Sequence, residues 1–157
     1  MKTNYCTVFH KNYLFQGFAL FLSLQRTAGD FMLYVLCMDD ETLEVMGRVA
    51  DAQFLTPVSE HDLRGRFPEL ESHAQRTNHG QYCWSCQPFF IQFLLERFAL
   101  PSVTYLEADS LFFSSPQPTT YPAIKFLSLA YLYHRSIVAH RRHTGKGLTS
   151  RSSRAIR

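Results

Sequence analysis

The chain has 157 residues, of which 46% are hydrophobic and 15% aromatic, so it can build the core of one folded domain and does not have a disordered composition. Its net charge of +3 combines two unlike parts: residues 1–109 carry all 13 acids and 8 Lys or Arg, whereas residues 110–157 carry 8 Lys or Arg and no acid. Four cysteines are too few for a small disulfide-built secreted domain, and no stretch reaches the roughly 20 apolar residues of a membrane span. We therefore expect a cytoplasmic protein without a membrane span.

The first part of the chain predicts a β-α-β unit. Residues 5–9 form a short β-rich run that ends in polar residues, and apolar residues then recur at helical spacing from Leu14 to Leu24. Residues 31–38 are almost continuously apolar, which is typical of a parallel strand covered on both faces.

The middle of the chain repeats this alternation. The acids at 39–41 stand at the start of a predicted helix, where capping is the expected role and metal binding the alternative. Residues 53–58 predict a third strand, and residues 64–80 predict a polar, mobile surface region. A helix is predicted over residues 81–99, with Pro88 in its first turn.

A further strand, predicted as buried over residues 103–106, is followed at once by two acids, Glu107 and Asp109. Residues two apart on a strand point to the same side, so the two carboxylates are expected to converge at the carboxyl edge of a sheet. A divalent cation with oxygen ligands would satisfy both charges. A strand that simply runs out into a polar turn would give the same local pattern.

The order of the predicted elements indicates an α/β fold with an open, mostly parallel sheet. Such sheets bind ligands at the carboxyl ends of their strands, where the two acids lie. Beyond Pro116 the alternation stops: residues 123–139 are compatible with one more helix, and the basic, Ser-rich end predicts a disordered tail.

Four segments, in this order and spacing, resemble nucleotide-diphospho-sugar transferases with the GT-A fold, in particular the bacterial glycosyltransferases distantly similar to family eight. The segments are CTVFHKNYLFQGFAL, FMLYVLCMDDET, QYCWSCQPFF and VTYLEADSLFFSSP, and the resemblance runs along residues 5–116. It implies a Rossmann-like, nucleotide-sugar-binding half-domain. It also implies transfer of a sugar from a nucleotide-diphospho-sugar, with a UDP-sugar as the leading expectation, to an unidentified glycan or other acceptor.

The resemblance implies roles for particular residues. In the family the acid-x-acid element holds a Mn²⁺ or Mg²⁺ ion that bridges the two phosphates, so Asp109 would bind the metal, and Glu107 would contact the metal or the ribose and sugar. The other residues placed at the nucleotide sugar are Thr7, Val8 and Phe9 around the base and ribose, Tyr13 as a stacking ring, Arg76 near phosphate or sugar, Trp84 as a wall, and Ala108 between the acids. Each of these residues also has a structural alternative. Thr7 to Phe9 and Trp84 would serve packing, Tyr13 would cap a turn, and Arg76 would be a solvated surface residue.

Three departures from the family pattern bear on activity. Glu107 stands where an Asp is usual, and His10 stands where the family usually has an acid near the base. The resemblance also ends near Pro116, so we assign residues 1–116 to the first part of a glycosyltransferase domain and residues 117–157 to a non-homologous basic tail, such as an out-of-frame translation would produce. We expect such a truncation to impair or abolish activity.

Two other functions have some support in the sequence. Cys83 and Cys86 form a Cys-x-x-Cys that would suit a dithiol switch or half of a zinc site, with His140 and His143 as the other half. The basic tail would suit electrostatic contact with nucleic acid, but no reader motif accompanies it, so no specific nucleic-acid partner is expected.

Overall fold

The structure is a computed structural model, and it describes residues 2–116. Within them one sheet of four parallel strands is combined with helices, which confirms the predicted α/β class. The strands are β1 (Thr3–Phe9), β2 (Phe31–Cys37), β3 (Leu55–Ser59) and β4 (Thr104–Tyr105), and the helices are α1 (Leu14–Thr27), α2 (Asp40–Val49), α3 (Glu60–Arg66), α4 (Glu69–Ala74) and α5 (His79–Arg97). The helix predicted over 123–139 and the predicted basic tail lie outside the described residues.

The sheet has the strand order β3-β2-β1-β4, with every pairing parallel. β1 is therefore a central strand, and its residue Cys6 pairs with Tyr34 of β2 on one side and with Tyr105 of β4 on the other. A strand is present where residues 103–106 predicted one, but the prediction that it is buried is wrong. β4 is short, lies beside β1 at the edge of the described sheet and exposes Thr104.

Alternation of side chains along β1 and β2 creates a core on each face of the sheet. Cys6 and Leu36 pack in one core together with Phe90 of α5, and Phe9 and Val35 pack in the other together with buried residues of α1. Both faces of the central strands are thus covered, which explains their continuous apolar sequence.

Most of residues 64–80, predicted as a polar, mobile surface region, are exposed, but the stretch also has buried anchors that were not predicted. This stretch contains α4, and Phe67 and Leu70 on either side of its start are buried in the core. Arg64 also forms salt bridges with Glu60 and Glu71, at 3.1 Å and 2.8 Å. Two buried anchors in a short polar stretch are too sparse to show a periodic pattern, so the sequence did not reveal them.

The predicted place of Pro88 is also wrong, because Pro88 lies inside α5 and not in its first turn. The helix begins earlier than expected, at a capping box in which the side chains of Asn78 and Gln81 each accept a hydrogen bond from the other residue's backbone N–H. Proline has no N–H to donate to the carbonyl of Trp84, so the helix lacks one internal hydrogen bond at this point.

None of the helices within residues 2–116 combines the length and the apolar character needed to cross a membrane.

Helix α1 approaches β1 closely at Gly17. A side-chain Cβ built at this position would overlap the ring of Phe9, which is itself 2% exposed and fixed in the core. Gly17 is therefore required by packing, because only a residue without a Cβ lets the helix lie this close to the last residue of β1.

We predict that Gly17→Ala lowers the free energy of unfolding by about 1–3 kcal/mol, the usual cost of overpacking a core. Chemical denaturation followed by circular dichroism would measure it. Gly47→Ala is the matched control: Gly47 is exposed in α2 and a Cβ there meets nothing within 4 Å, so this change is expected to stabilise by about 0.5–1 kcal/mol. Equal effects of the two substitutions would contradict the close approach.

Candidate functional site

A cleft of about 430 Å³ opens where β1 and β4 end. From β1 the chain crosses to β2 on one side, whereas β4 is added on the other side of β1, so the direction of winding reverses between these two strands. In open α/β sheets such a reversal leaves a crevice at the carboxyl ends of the strands, and ligands bind there. The cleft therefore lies where the strand order alone predicts a binding site.

Seven of the nine residues expected at the nucleotide sugar line this cleft, namely Val8, Phe9, Tyr13, Trp84, Glu107, Ala108 and Asp109. The other two do not line it. Thr7 is wholly buried inside β1, one residue short of the cleft, and Arg76 is exposed between α4 and α5. The fold thus brings together the end of β1, the first half of α5 and the end of β4, which are far apart in the sequence.

The two acids lie on a turn and not on one face of a strand. β4 ends at Tyr105, and the backbone N–H of Ser110 donates to the carbonyl of Glu107 at 3.0 Å, which closes the turn. Ala108, at the centre, is buried in the same core as Phe9, whereas the acids on either side of it are exposed. The two acids therefore line the cleft from a turn with a buried residue between them, and not from a strand as the sequence suggested.

A chain of hydrogen bonds reaches Glu107 from α5. The side-chain amide of Gln87 donates to the hydroxyl oxygen of Tyr105 at 2.8 Å, and this hydroxyl donates to Oε2 of Glu107 at 3.2 Å. Both residues line the cleft and neither was predicted from the sequence. The spacing of Tyr105 and Glu107, two apart at the end of a strand, is the signal that could have indicated their contact.

Aromatic rings also line the cleft. Tyr13 is 44% exposed and Trp84 is 68% exposed, so both present ring surface to a ligand. The ring of His10 lies edge-on to Tyr13 and to His79, with centroids 5.3 Å and 4.7 Å apart. Burial and the neighbouring His79 lower the pKa of His10, against the opposing effect of the Asp39 carboxylate, so the neutral imidazole is favoured at this rim.

Asp39 caps α2, as expected from the sequence. Its Oδ1 accepts the backbone N–H of Thr42 at 2.8 Å, and its Oδ2 accepts that of Lys11 at 2.9 Å. Burial acts to raise the pKa of Asp39, but these two hydrogen bonds, the Thr42 side chain and the nearby His10 together outweigh it, and the pKa is lowered. Because both oxygens are engaged, Asp39 fixes the turn that carries Tyr13 and is a poor ligand for a metal.

The carboxylates of the cleft suit a hard divalent cation that is bound together with a ligand. No group of three or more His, Cys, Asp or Glu within residues 2–116 is arranged to hold a metal ion. The cleft instead offers two exposed carboxylates, those of Glu107 and Asp109. Mg²⁺ in nucleotide sites is usually held by one or two carboxylates together with substrate phosphates, so the residues present fit a cation that arrives with a diphosphate.

The Cys-x-x-Cys pair does not have the properties of a reactive dithiol. Cys83 and Cys86 are both buried in α5, and neither is part of a disulfide. Burial raises the pKa of Cys83 to about 11 and that of Cys86 to about 12, so both are protonated and poorly nucleophilic at neutral pH. His140 and His143, the suggested partners in a zinc site, lie outside the described residues.

Two curated proteins of Bacillus subtilis (strain 168) are similar to this chain. The uncharacterized protein YfnF is 34% identical over 122 residues, and the uncharacterized protein YfnD is 29% identical over 115 residues. The matches cover 75% and 72% of this chain but only 38% and 36% of the relatives, so the chain spans less than two fifths of their length. No family model matches the chain.

We predict that the four cysteines of the folded protein react slowly with a thiol reagent at pH 8, because all four are buried with raised pKa values. Absorbance of the released chromophore would follow the reaction, and unfolding in guanidinium chloride should expose all four thiols at once. A rapid phase from Cys83 or Cys86 in the folded state would instead favour a redox or metal-binding role for the pair.

We also predict that His10 titrates below the usual histidine pKa, and that His79→Gln raises its pKa because one neighbouring positive charge is removed. Proton NMR of the imidazole signals against pH would measure both values. His61→Gln serves as the control, since His61 is exposed in α3, away from the cleft. An unchanged His10 pKa in the His79 variant would contradict the interaction between the two rings.

Proposed function

We propose that residues 2–116 form the donor-binding part of a glycosyltransferase that uses a nucleotide-diphospho-sugar and a divalent cation. The observation that carries the proposal is the meeting of Glu107 and Asp109 with the end of β1 in one cleft, at the reversal point of the sheet. This support is independent of the resemblance, which was based on sequence segments alone. Because the chain spans less than two fifths of the length of its relatives, the proposal does not extend to acceptor binding or catalysis.

The two carboxylates would hold Mn²⁺ or Mg²⁺ against the diphosphate, and the cation would stabilise the charge that develops on the nucleoside diphosphate as it leaves. Glu107 and Asp109 are suited to this role because they are exposed to the cleft, while Ala108 between them is anchored in the core. A buried anchor fixes the backbone of the turn, so less of the chain has to be ordered when a cation binds.

The rest of the cleft suits a nucleoside. Val8 and Phe9 give it an apolar wall at the end of β1, and Tyr13 and Trp84 expose aromatic rings on which a planar base can stack. The cleft volume lies within the roughly 300–1,000 Å³ typical of small-molecule sites. We propose a UDP-sugar as the donor, on the basis of the resemblance.

We also propose a cytoplasmic location. All four cysteines of the sequence are unpaired thiols in the described part of the chain, which suits a reducing compartment.

Calorimetric titration of the purified 157-residue protein with UDP, with and without Mn²⁺, tests the proposal, and GDP serves as a comparison ligand. We expect metal-dependent binding of UDP that Asp109→Asn weakens by at least about tenfold, the loss typical even for outer groups of a metal site. Quenching of Trp84, the single tryptophan in the sequence, should report the same binding.

Asp30→Asn is the matched control and should leave binding unchanged. Asp30 is exposed just before β2, at the amino ends of the strands and away from the cleft. Cooperative unfolding of each variant would show that it is folded. A folded wild-type protein that binds neither nucleotide, with or without Mn²⁺, would overturn the proposal.

A further inference from the structure

The exposed carboxylate of Glu107 is connected to the interior by two residues that the proposed function does not use. Gln87 Nε2 lies 2.8 Å from the hydroxyl oxygen of Tyr105, and this oxygen lies 3.2 Å from Oε2 of Glu107. Gln87 belongs to the long helix α5 and Tyr105 to β4, so the two come from different elements of the fold. Both line the cleft beside the carboxylate.

The direction of these hydrogen bonds is fixed by chemistry. The amide nitrogen of Gln87 can only donate, so the Tyr105 oxygen accepts, and the single phenolic proton of Tyr105 is then directed to Glu107. A phenol that accepts one hydrogen bond is a better donor in the next. Oε2 of Glu107 is thereby engaged, while Oε1 makes no hydrogen bond to the described residues.

The two supporting residues are less exposed than Glu107. Tyr105 pairs with Cys6 of the central strand and packs against the core, and neighbours of Gln87 on α5, Cys86 and Phe90, are wholly buried. A tyrosine hydroxyl keeps its proton over the physiological range, so Tyr105 can donate it to the carboxylate. Glu107 itself is exposed on a turn, where its side chain would otherwise be free to rotate.

We propose that Gln87 and Tyr105 are positioning residues that hold Glu107 with its second carboxylate oxygen available to a divalent cation. The inference rests on the proposed function, since it assigns these residues a role in the same metal site. It also gives a reason for a glutamate at position 107, because the extra methylene, compared with aspartate, lets the carboxylate reach the Tyr105 hydroxyl.

The first test needs no metal. In protein labelled with ¹³C at the Tyr ring and the Glu carboxylate, the Glu107 carboxylate signal should shift in Tyr105→Phe and, to a smaller extent, in Gln87→Met. Tyr34→Phe is the matched control: Tyr34 lies buried in the neighbouring strand β2, outside the cleft lining. A Glu107 signal that is the same in wild type and Tyr105→Phe would overturn the inference while leaving the proposed function intact.

The second test measures the Mn²⁺ affinity in the presence of UDP by electron paramagnetic resonance. We expect Tyr105→Phe to weaken Mn²⁺ binding by about threefold to tenfold, the effect of one hydrogen bond, and Gln87→Met by less. Gln92→Met, on the same helix but outside the cleft lining, should leave the affinity unchanged.

A double-mutant cycle separates positioning from general structure. If Tyr105 acts through Glu107, Tyr105→Phe has no further effect on Mn²⁺ affinity once Glu107→Ala is present. An equal loss in both backgrounds would overturn the inference, because Tyr105 would then act on the fold and not on the acid. Absence of Mn²⁺ binding by the folded wild type would overturn the proposed function, and the metal-binding role of these residues with it.

Discussion

The parallel pairing of β4 with β1 is the constraint on which the whole candidate site depends. Cys6 of β1 pairs with Tyr105 of β4, and its carbonyl also accepts the backbone N–H of Leu106 at 2.8 Å. This short contact places the turn with the two acids beside the end of the central strand, although about 100 residues separate them in the sequence. The long helix α5, which leads into β4, then closes one side of the same cleft.

The fold was predictable where one physical signal dominated. Continuous apolar runs predicted β1 and β2, because central parallel strands are covered on both faces, and Asp39 was recognised as a cap by its place before an apolar-periodic helix. The position of the cleft followed from the alternation of strands and helices together with the acids after the last strand. Seven of the nine residues that the resemblance places at the nucleotide sugar line it.

The rest could not be read from the sequence, because it depends on contacts between distant segments. Nothing local shows that Gln87 meets Tyr105, or that Phe67 and Leu70 are buried in a polar stretch. Pro88 was misplaced because proline is a strong local signal for a helix start, whereas the helix actually begins at the weaker capping signal of Asn78. The two acids were expected on a strand, whereas they lie on the turn that follows β4 and is closed by the Ser110 to Glu107 backbone hydrogen bond.

The most direct test of a metal and nucleotide site in this cleft is to locate the divalent cation by paramagnetic broadening in NMR spectra of the protein with UDP and a small amount of Mn²⁺. A cation held by Glu107 and Asp109 should selectively remove the amide signals of residues 107–109 and of Val8 to His10, which border the cleft. Amide signals at the amino ends of the strands, such as that of Asp30, should remain. Broadening centred elsewhere, or spread evenly over the protein, would contradict a metal and nucleotide site at the ends of β1 and β4.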